Sequence, residues 1–411
     1  MTTNKISPAK DSKAAVTQTT TPPSVKPEGG ISFQKKEMSM TASLLAPYLS
    51  AKAAVGIRLA GGRLEFFAAA GVSDFGSALV RVPCKAKSFD WKHVDAPTFS
   101  GVISAADDGA ISMEFGENAL TVRCAPHSVN ELRYFDSQQT PIRMEQPAAT
   151  LSGEDFNVIA MMTESASDDM ARPALQGVYL AAQNGEIESA AADGFILSFK
   201  ESKAANLTDT PGAVYSAKAL FNAKRAAKAG SEEVGISFVL KGKDVIPGLI
   251  LSVRREYGIE ALYHVPQMGG QFPDYKQITK AAPDPDESVV AELPTSSVAM
   301  MLKRARALGG NLFLQVINGR FWYMARNDAK EQAIDSIPLD PKIKDSVLMA
   351  YDPRRFGDIL KACAANGRVK LVFPDEARKP MLITGMANGL AMPLAHDLKE
   401  SPFKNLQPAL L

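Results

Sequence analysis

Three stretches of this chain carry one pattern. LAGGRLEFFAAAGVSDF (59–75), LAAQNGEIESAAADGF (180–195) and QVINGRFWYMARNDA (315–329) each read as an apolar strand, a glycine turn, a second strand and a polar break. Asn184–Gly185 is the strongest short hairpin signal, because Asn and Gly accept the positive φ of a tight turn. The turn glycines Gly62, Gly185 and Gly319 lie 123 and 134 residues apart. That spacing predicts three copies of a domain of about 120 residues. A length of 411 residues is too great for one typical domain and agrees with two or three.

Each copy has a helical pattern before its hairpin. The first is Thr41–Lys52, interrupted by Pro47. The second follows Ser152, an N-cap with Asp155 three residues on, and runs through Phe156, Ile159 and Met162. The third is Thr295–Leu308, with Val298, Met301, Leu302, Ala305 and Leu308 on one face. A second helix is expected after the hairpin at Ser216–Ala229 and at Pro353–Ala365, whereas Ser88–Phe99 is a poor helix candidate. Further strands are expected at Ala119–Cys124, Ile246–Arg254 and Met381–Gly385. Two helices packed on antiparallel sheet in each of three similar domains make an α+β chain.

Boundaries fall in the Pro-containing polar stretches Ser137–Pro147 and Thr279–Glu287. They divide the chain into a disordered tail (1–32), three domains (33–146, 147–282, 283–397) and a C-terminal extension (398–411). The tail is rich in Thr, Ser, Pro, Lys and Gly and lacks the apolar side chains that would offset the entropy of ordering.

Catalytic and metal motifs are missing from the sequence. Cys84, Cys124 and Cys363 are far apart, which argues against a disulfide framework or zinc site and suits a reducing, cytoplasmic setting. His93, His127, His264 and His396 are isolated. Asp274, Asp284, Asp286 and Glu287 have no His or Cys at ligand spacing and read as a solvated linker. No phosphate-binding glycine loop or nucleophile elbow is present. No metal or cofactor is expected, and no run of about 18 apolar residues suggests a membrane span.

Net charge is only +1, so a nucleic-acid partner requires positive charge gathered on one face. The helices supply such a pattern. In Ser216–Ala229, Leu220, Ala223 and Ala227 share one face, Lys218 and Arg225 lie opposite, and Lys224 and Lys228 lie to the side. Lys303, Arg304 and Arg306 mark Thr295–Leu308, and Arg354, Arg355 and Lys361 mark Pro353–Ala365.

Around the central hairpin the chain resembles the bacterial-type β sliding clamps, the processivity subunits of replicative DNA polymerases. The matching residues are Arg172, Pro173, Leu175, Gly177 and Val178, then Ala192, Asp193 and Gly194. Gln271-Phe272-Pro273-Asp274-Tyr275 and Met392-Pro393-Leu394 match further on, and the resemblance covers about residues 33–396. It implies a non-catalytic homodimer, each chain being half of a closed ring with sheets outside and helices lining the hole. Double-stranded DNA would be contacted without sequence preference by Arg172, Lys218, Lys224, Arg225, Lys228, Lys303, Arg304, Arg306, Arg354 and Lys361. A groove between the second and third domains would take short linear motifs of a DNA polymerase, a clamp loader and other replication or repair proteins. Its matching residues are Leu175, Ala192, Gly194, Phe195, Ile196, Leu197, Pro273, Met392, Pro393 and Leu394.

The sequence departs from the family where His-Arg-Leu usually follows Asp-Gly and Phe195-Ile196-Leu197 stands instead. It also departs where the segment before the first hairpin offers only Lys52, and where fifteen residues follow His396. These departures suit a divergent member, such as one carried by a phage or plasmid. The tail Gln407-Pro408-Ala409-Leu410-Leu411 resembles the motifs that clamps bind and is a candidate occupant of the chain's own groove. A clamp-like repair or partner scaffold, and an enzyme on a repetitive α+β scaffold, are the alternative readings.

Overall fold

A computed structural model of the chain describes residues 30–49, 53–69, 75–124, 128–137, 144–228, 232–240, 246–364, 367–396 and 400–404. Lys52, most of the N-terminal tail and the Gln407–Leu411 motif lie outside the described residues.

One unit repeats three times: strand, helix, four strands, helix, three strands. Unit 1 comprises Ile31–Gln34, α1 (Lys35–Leu45), Ala54–Ala60, Arg63–Ala69, Ser77–Pro83, Phe89–Asp95, α2 (Ala96–Ala105), Ala110–Phe115, Ala119–Cys124 and Ser128–Arg133. Unit 2 comprises Ala149–Ser152, α3 (Gly153–Met161), Gly177–Gln183, Glu186–Ala192, Ile196–Ala205, Thr210–Ser216, α4 (Ala217–Ala227), Glu233–Val239, Gly248–Arg254 and Glu260–Pro266. A short helix, α5 (Tyr275–Thr279), lies in the connection. Unit 3 comprises Val289–Pro294, α6 (Thr295–Leu308), Asn311–Ile317, Arg320–Arg326, Gln332–Pro338, Met349–Tyr351, α7 (Pro353–Cys363), Arg368–Phe373, Met381–Thr384 and Asn388–Ala391.

The hairpins form as their turn chemistry requires. Asn184 and Gly185 have φ of 54° and 79°, and Asn318 and Gly319 have 52° and 67°. Both pairs fit a type I′ turn, whose twist matches the flanking strands. Helix caps are equally local. The Ser152 hydroxyl accepts from Asp155 N, the Ser216 hydroxyl from Ala219 N, and Asp352 from Arg354 N and Arg355 N. Each satisfies amides that a helix start leaves unpaired.

One expectation in unit 1 needs correction, and the poor helix candidate there is indeed mostly not helix. The first helix begins at Lys35, not Thr41, because the Gln34 N–H donates to the Glu37 carboxylate in a capping box. Pro47 falls in the 3-10 turn Ala46–Tyr48 after it. Ser88–Phe99 is mostly strand. The second helix starts at Ala96, capped by Asp95 with Pro97 in its first turn.

Fourth and eighth strands join the units edge to edge. Ser77–Pro83 of unit 1 pairs antiparallel with Glu260–Pro266 of unit 2, placing Leu79 opposite Leu262. Ile196–Ala205 of unit 2 pairs with Asn388–Ala391 of unit 3, placing Leu197 opposite Leu390. Arg81 reinforces the first seam, bonding Glu65 at 3.1 Å and Glu260 at 3.2 Å. The major helices pack in the order α2, α1, α4, α3, α7, α6, so one helical layer runs across all three units. Buried faces of these helices close the main core against the inward side chains of the strands, such as Leu312, Leu314 and Val316. Phe313, Ile317, Trp322 and Met324 form a separate cluster on the other sheet face.

Candidate partner groove and basic helical face

The turn between the third and fourth strands of unit 2 builds one wall of a groove. Asp193 Oδ1 accepts from the backbone N–H of Phe195 at 2.7 Å and of Ile196 at 2.9 Å. Gly194 takes a φ of 97°, and a Cβ there would lie 3.0 Å from an Arg172 guanidinium nitrogen. Strand alternation then separates Ile196 from Leu197. Ile196 turns into the main core, whereas Leu197 turns outward. Leu197 joins Leu175, Phe272, Tyr275, Leu382 and Leu390 in an apolar cluster that spans units 2 and 3, with Ala192 packed against it. Beside it opens a cleft of about 490 Å³ lined by Arg172, Pro173, Ala174, Leu175, Gly269, Gly270, Gln271 and Pro273.

Unit 3 closes the rim. Met392 N donates to the Phe195 carbonyl at 2.8 Å, and its side chain is exposed. Arg355, in the first turn of α7, lies over the Phe195 ring at 3.9 Å, and its Nε donates to Asp193 Oδ2 at 2.8 Å. Leu394 goes elsewhere: its N–H donates to Ala350 O at 2.8 Å and its side chain packs near Phe313 and Trp322. The groove residues named from sequence are therefore brought together in the main, with Ile196 and Leu394 facing other clusters. Arg355, Leu382 and Leu390 were not among them. Phe272 and Tyr275 belong to the Gln271–Tyr275 motif, which is the sequence signal for them.

The helical side of the same junction holds a larger cleft of about 1030 Å³. Glu164, Asp168, Asp169, Asp193, Asp352 and Asp358 line it together with Arg172, Lys218, Arg306, Arg354, Arg355 and Lys361. Several basic side chains are thus committed to acids. Arg172 pairs with Asp169 at 2.8 Å, Arg354 with Asp168 at 3.2 Å and Arg306 with Asp358 at 3.7 Å. Lys361 bonds Glu164 at 2.8 Å and Asp358 at 3.1 Å. Burial opposes the charge on Lys361, but these bonds win and raise its pKa. Arg304 bonds Asp335 and the Tyr323 hydroxyl. Lys224 is half-buried against Met161, and burial pulls its pKa down against the attraction of Glu164.

Lys218, Arg225, Lys228 and Lys303 are exposed and have no carboxylate partner among the described residues. Lys218 sits over Phe75 at 5.4 Å and Arg225 over Phe221 at 5.9 Å, so each long stem has an apolar support. Lys228 caps α4 with a φ of 42°. Unit 1 differs: α2 carries no charged residue, and α1 has only Lys35, Lys36 and Glu37. Positive charge on the helical layer therefore concentrates in units 2 and 3.

No protein-family model and no curated protein matches the chain. Solved structures do. The DNA polymerase sliding clamp of Pseudomonas aeruginosa aligns with a TM-score of 0.72 at 16% identity, covering 90% of this chain and all (100%) of that one. The sliding clamp of Bacillus subtilis aligns at 0.71 and 15%, covering 90% and 100%. The Helicobacter pylori beta clamp, solved bound to a DNA ligase peptide, aligns at 0.65 and 16%, covering 89% and 100%. The chain has the sliding-clamp fold from end to end of those structures.

Proposed function

We propose that the chain is a DNA sliding clamp: two copies close head to tail into a ring around duplex DNA and tether partner proteins, without catalysis of their own. One observation carries the reading. Each internal seam joins the fourth strand of one unit to the eighth strand of the next. Among the described residues, the remaining fourth strand, Gln332–Pro338, and the remaining eighth strand, Ser128–Arg133, are both open sheet edges. Such edges are templates for pairing with another chain. The same seam made twice between two copies gives a heterologous contact that closes on itself.

Lys218, Arg225, Lys228 and Lys303 are the first contacts for phosphates, with Arg172, Lys224, Arg304, Arg306, Arg354 and Lys361 behind them. Phosphate contacts carry no sequence information, so they suit a protein that slides. The apolar groove around Leu175 and Leu197 takes Leu or Phe anchors of short linear motifs from a DNA polymerase, a clamp loader or a repair enzyme such as a ligase. The setting is the cytoplasm.

Sedimentation from micromolar to nanomolar protein tests the ring. A species of twice the 44.0 kDa chain mass is expected, retained on closed circular DNA and lost when the circle is cut. A monomer at every concentration overturns the reading.

A further inference from the structure

Described residues that follow the last strand of each unit cover the outer sheet face of that same unit. Following unit 1, Met144 joins Phe67 and Leu79 of its own unit and Ile250 and Leu262 of the next in one apolar cluster. Following unit 2, Phe272 and Tyr275 join Leu197 and Val214 of their own unit and Leu382 and Leu390 of the next. Following unit 3, Leu394 and Phe403 cover Phe313, Trp322, Met324 and Ile334 of their own unit. Phe403 is 1% exposed, and its ring stacks on Trp322 with centroids 5.8 Å apart and planes 23° apart. The Ser401 hydroxyl donates to Gln315 Oε1 beside it.

The third cluster lacks the contribution that the first two receive from the eighth strand of a following unit, Leu262 and Leu390. The open eighth strand of unit 1 has a matching residue. Leu132 faces the core, so Val129 faces the other way, and Val129 is 58% exposed.

We infer that the C-terminal residues 392–396 and 400–404 form a strap built into the junction between copies. Phe403 and Leu394 hold the place that Met144, Phe272 and Tyr275 hold inside the chain, and the half-buried Leu394 receives Val129 of the partner subunit. The inference rests on the ring reading and assigns the extension a task that the two internal seams show in duplicate. Phe403 seals its own sheet face, and the half-buried Leu394 and Ile334 beside it present the apolar edge to the second copy.

Dilution of the full chain, monitored by sedimentation, supplies the reference dissociation constant. Truncation after His396 and the substitution Val129→Asp are each expected to weaken dimerisation at least tenfold. Together they should do little more than either alone, because they remove the same contact. Val129 is exposed in the single chain, so its substitution leaves the monomer folded, with the Trp322 emission unchanged. Binding of a labelled Leu-Phe peptide to the groove between units 2 and 3 should not move. A full-chain dimer whose dissociation constant is untouched by either change overturns the strap and leaves the ring standing. A full chain that never dimerises overturns the ring, and the strap with it.

Discussion

Arg355 of unit 3 stands over the ring of Phe195 of unit 2 at 3.9 Å, and Asp193 anchors its guanidinium from the side at 2.8 Å. The pair ties two units together at the rim of the groove, where Met392 also bonds the Phe195 carbonyl. A cation–π contact at a partly exposed site is worth about 0.5–1 kcal/mol. Arg355→Ala should therefore weaken a partner peptide only about two- to fivefold. Leu175→Ala removes an apolar wall and should cost about 2 kcal/mol, roughly thirtyfold. Fluorescence anisotropy with a labelled Leu-Phe peptide measures both, and a larger loss at Arg355 than at Leu175 would move the anchor site to the rim.

Lys303 and Arg304 are neighbours on α6 with different commitments. Arg304 bonds Asp335 and Tyr323, while Lys303 has no carboxylate partner among the described residues. Only a side chain that neutralises a phosphate releases a counterion. Lys303→Ala should lower the slope of log affinity against log salt by about 0.9, and Arg304→Ala should leave the slope unchanged. Equal slopes for the two variants would show that the Asp335 pair opens on DNA.

The repeat was legible because its turns depend on local chemistry: Asn-Gly at 184–185 and 318–319 supplies the positive φ that the hairpins use. Ser152, Ser216 and the Pro353 start of α7 were legible for the same reason, each being a residue that favours a helix start beside an amphipathic run. The start of α1 was not. Lys35, Lys36 and Glu37 look like the polar tail before them, and the cap is Gln34 rather than a Ser, Thr, Asp or Asn. Strand Phe89–Asp95 was hidden because its alternation is short: Phe89 and Trp91 alternate with Asp90 and Lys92, and the pattern lapses at His93 and Val94. In the groove, the motif residues were readable, whereas the direction of each side chain depends on where the strand begins. Period-two alternation sends Ile196 and Leu197 to opposite faces of one strand. Seams such as Leu79 opposite Leu262 join residues far apart in sequence, and no local pattern announces them.

Gly177 lies where two backbones nearly touch. A Cβ there would stand 2.3 Å from Tyr215 O and 2.6 Å from Val214 Cγ1. Both belong to the strand paired with Gly177–Gln183, so relief requires the ladder itself to move. Gly177→Ala should destabilise by about 1–3 kcal/mol, the usual cost of overpacking. Thermal unfolding measures this, and an unchanged midpoint would mean that the two strands separate freely.

Asp155 holds the start of α3 to the neighbouring strand. Its carboxylate receives Lys200 Nζ at 2.8 Å, the Ser152 hydroxyl at 2.8 Å and the Ser202 hydroxyl at 3.2 Å. Burial pushes its pKa up, but the bonds from Lys200, Ser152 and Ser202 outweigh burial and hold it below the ordinary 3.8. A carboxyl depressed by folding stabilises fully above its unfolded pKa, and that contribution is lost as pH falls through the folded one. Asp155→Asn keeps the shape and removes the charge. At pH 7 it should lower stability by about 1.5–3 kcal/mol, the range for hydrogen bonds to a charged group. The gap between variant and parent, read from urea midpoints, should begin to close below about pH 4 and narrow further toward pH 3. A gap that is the same at pH 7 and pH 3 would assign the effect to shape rather than charge, and the Lys200 pair would then contribute nothing to the fold.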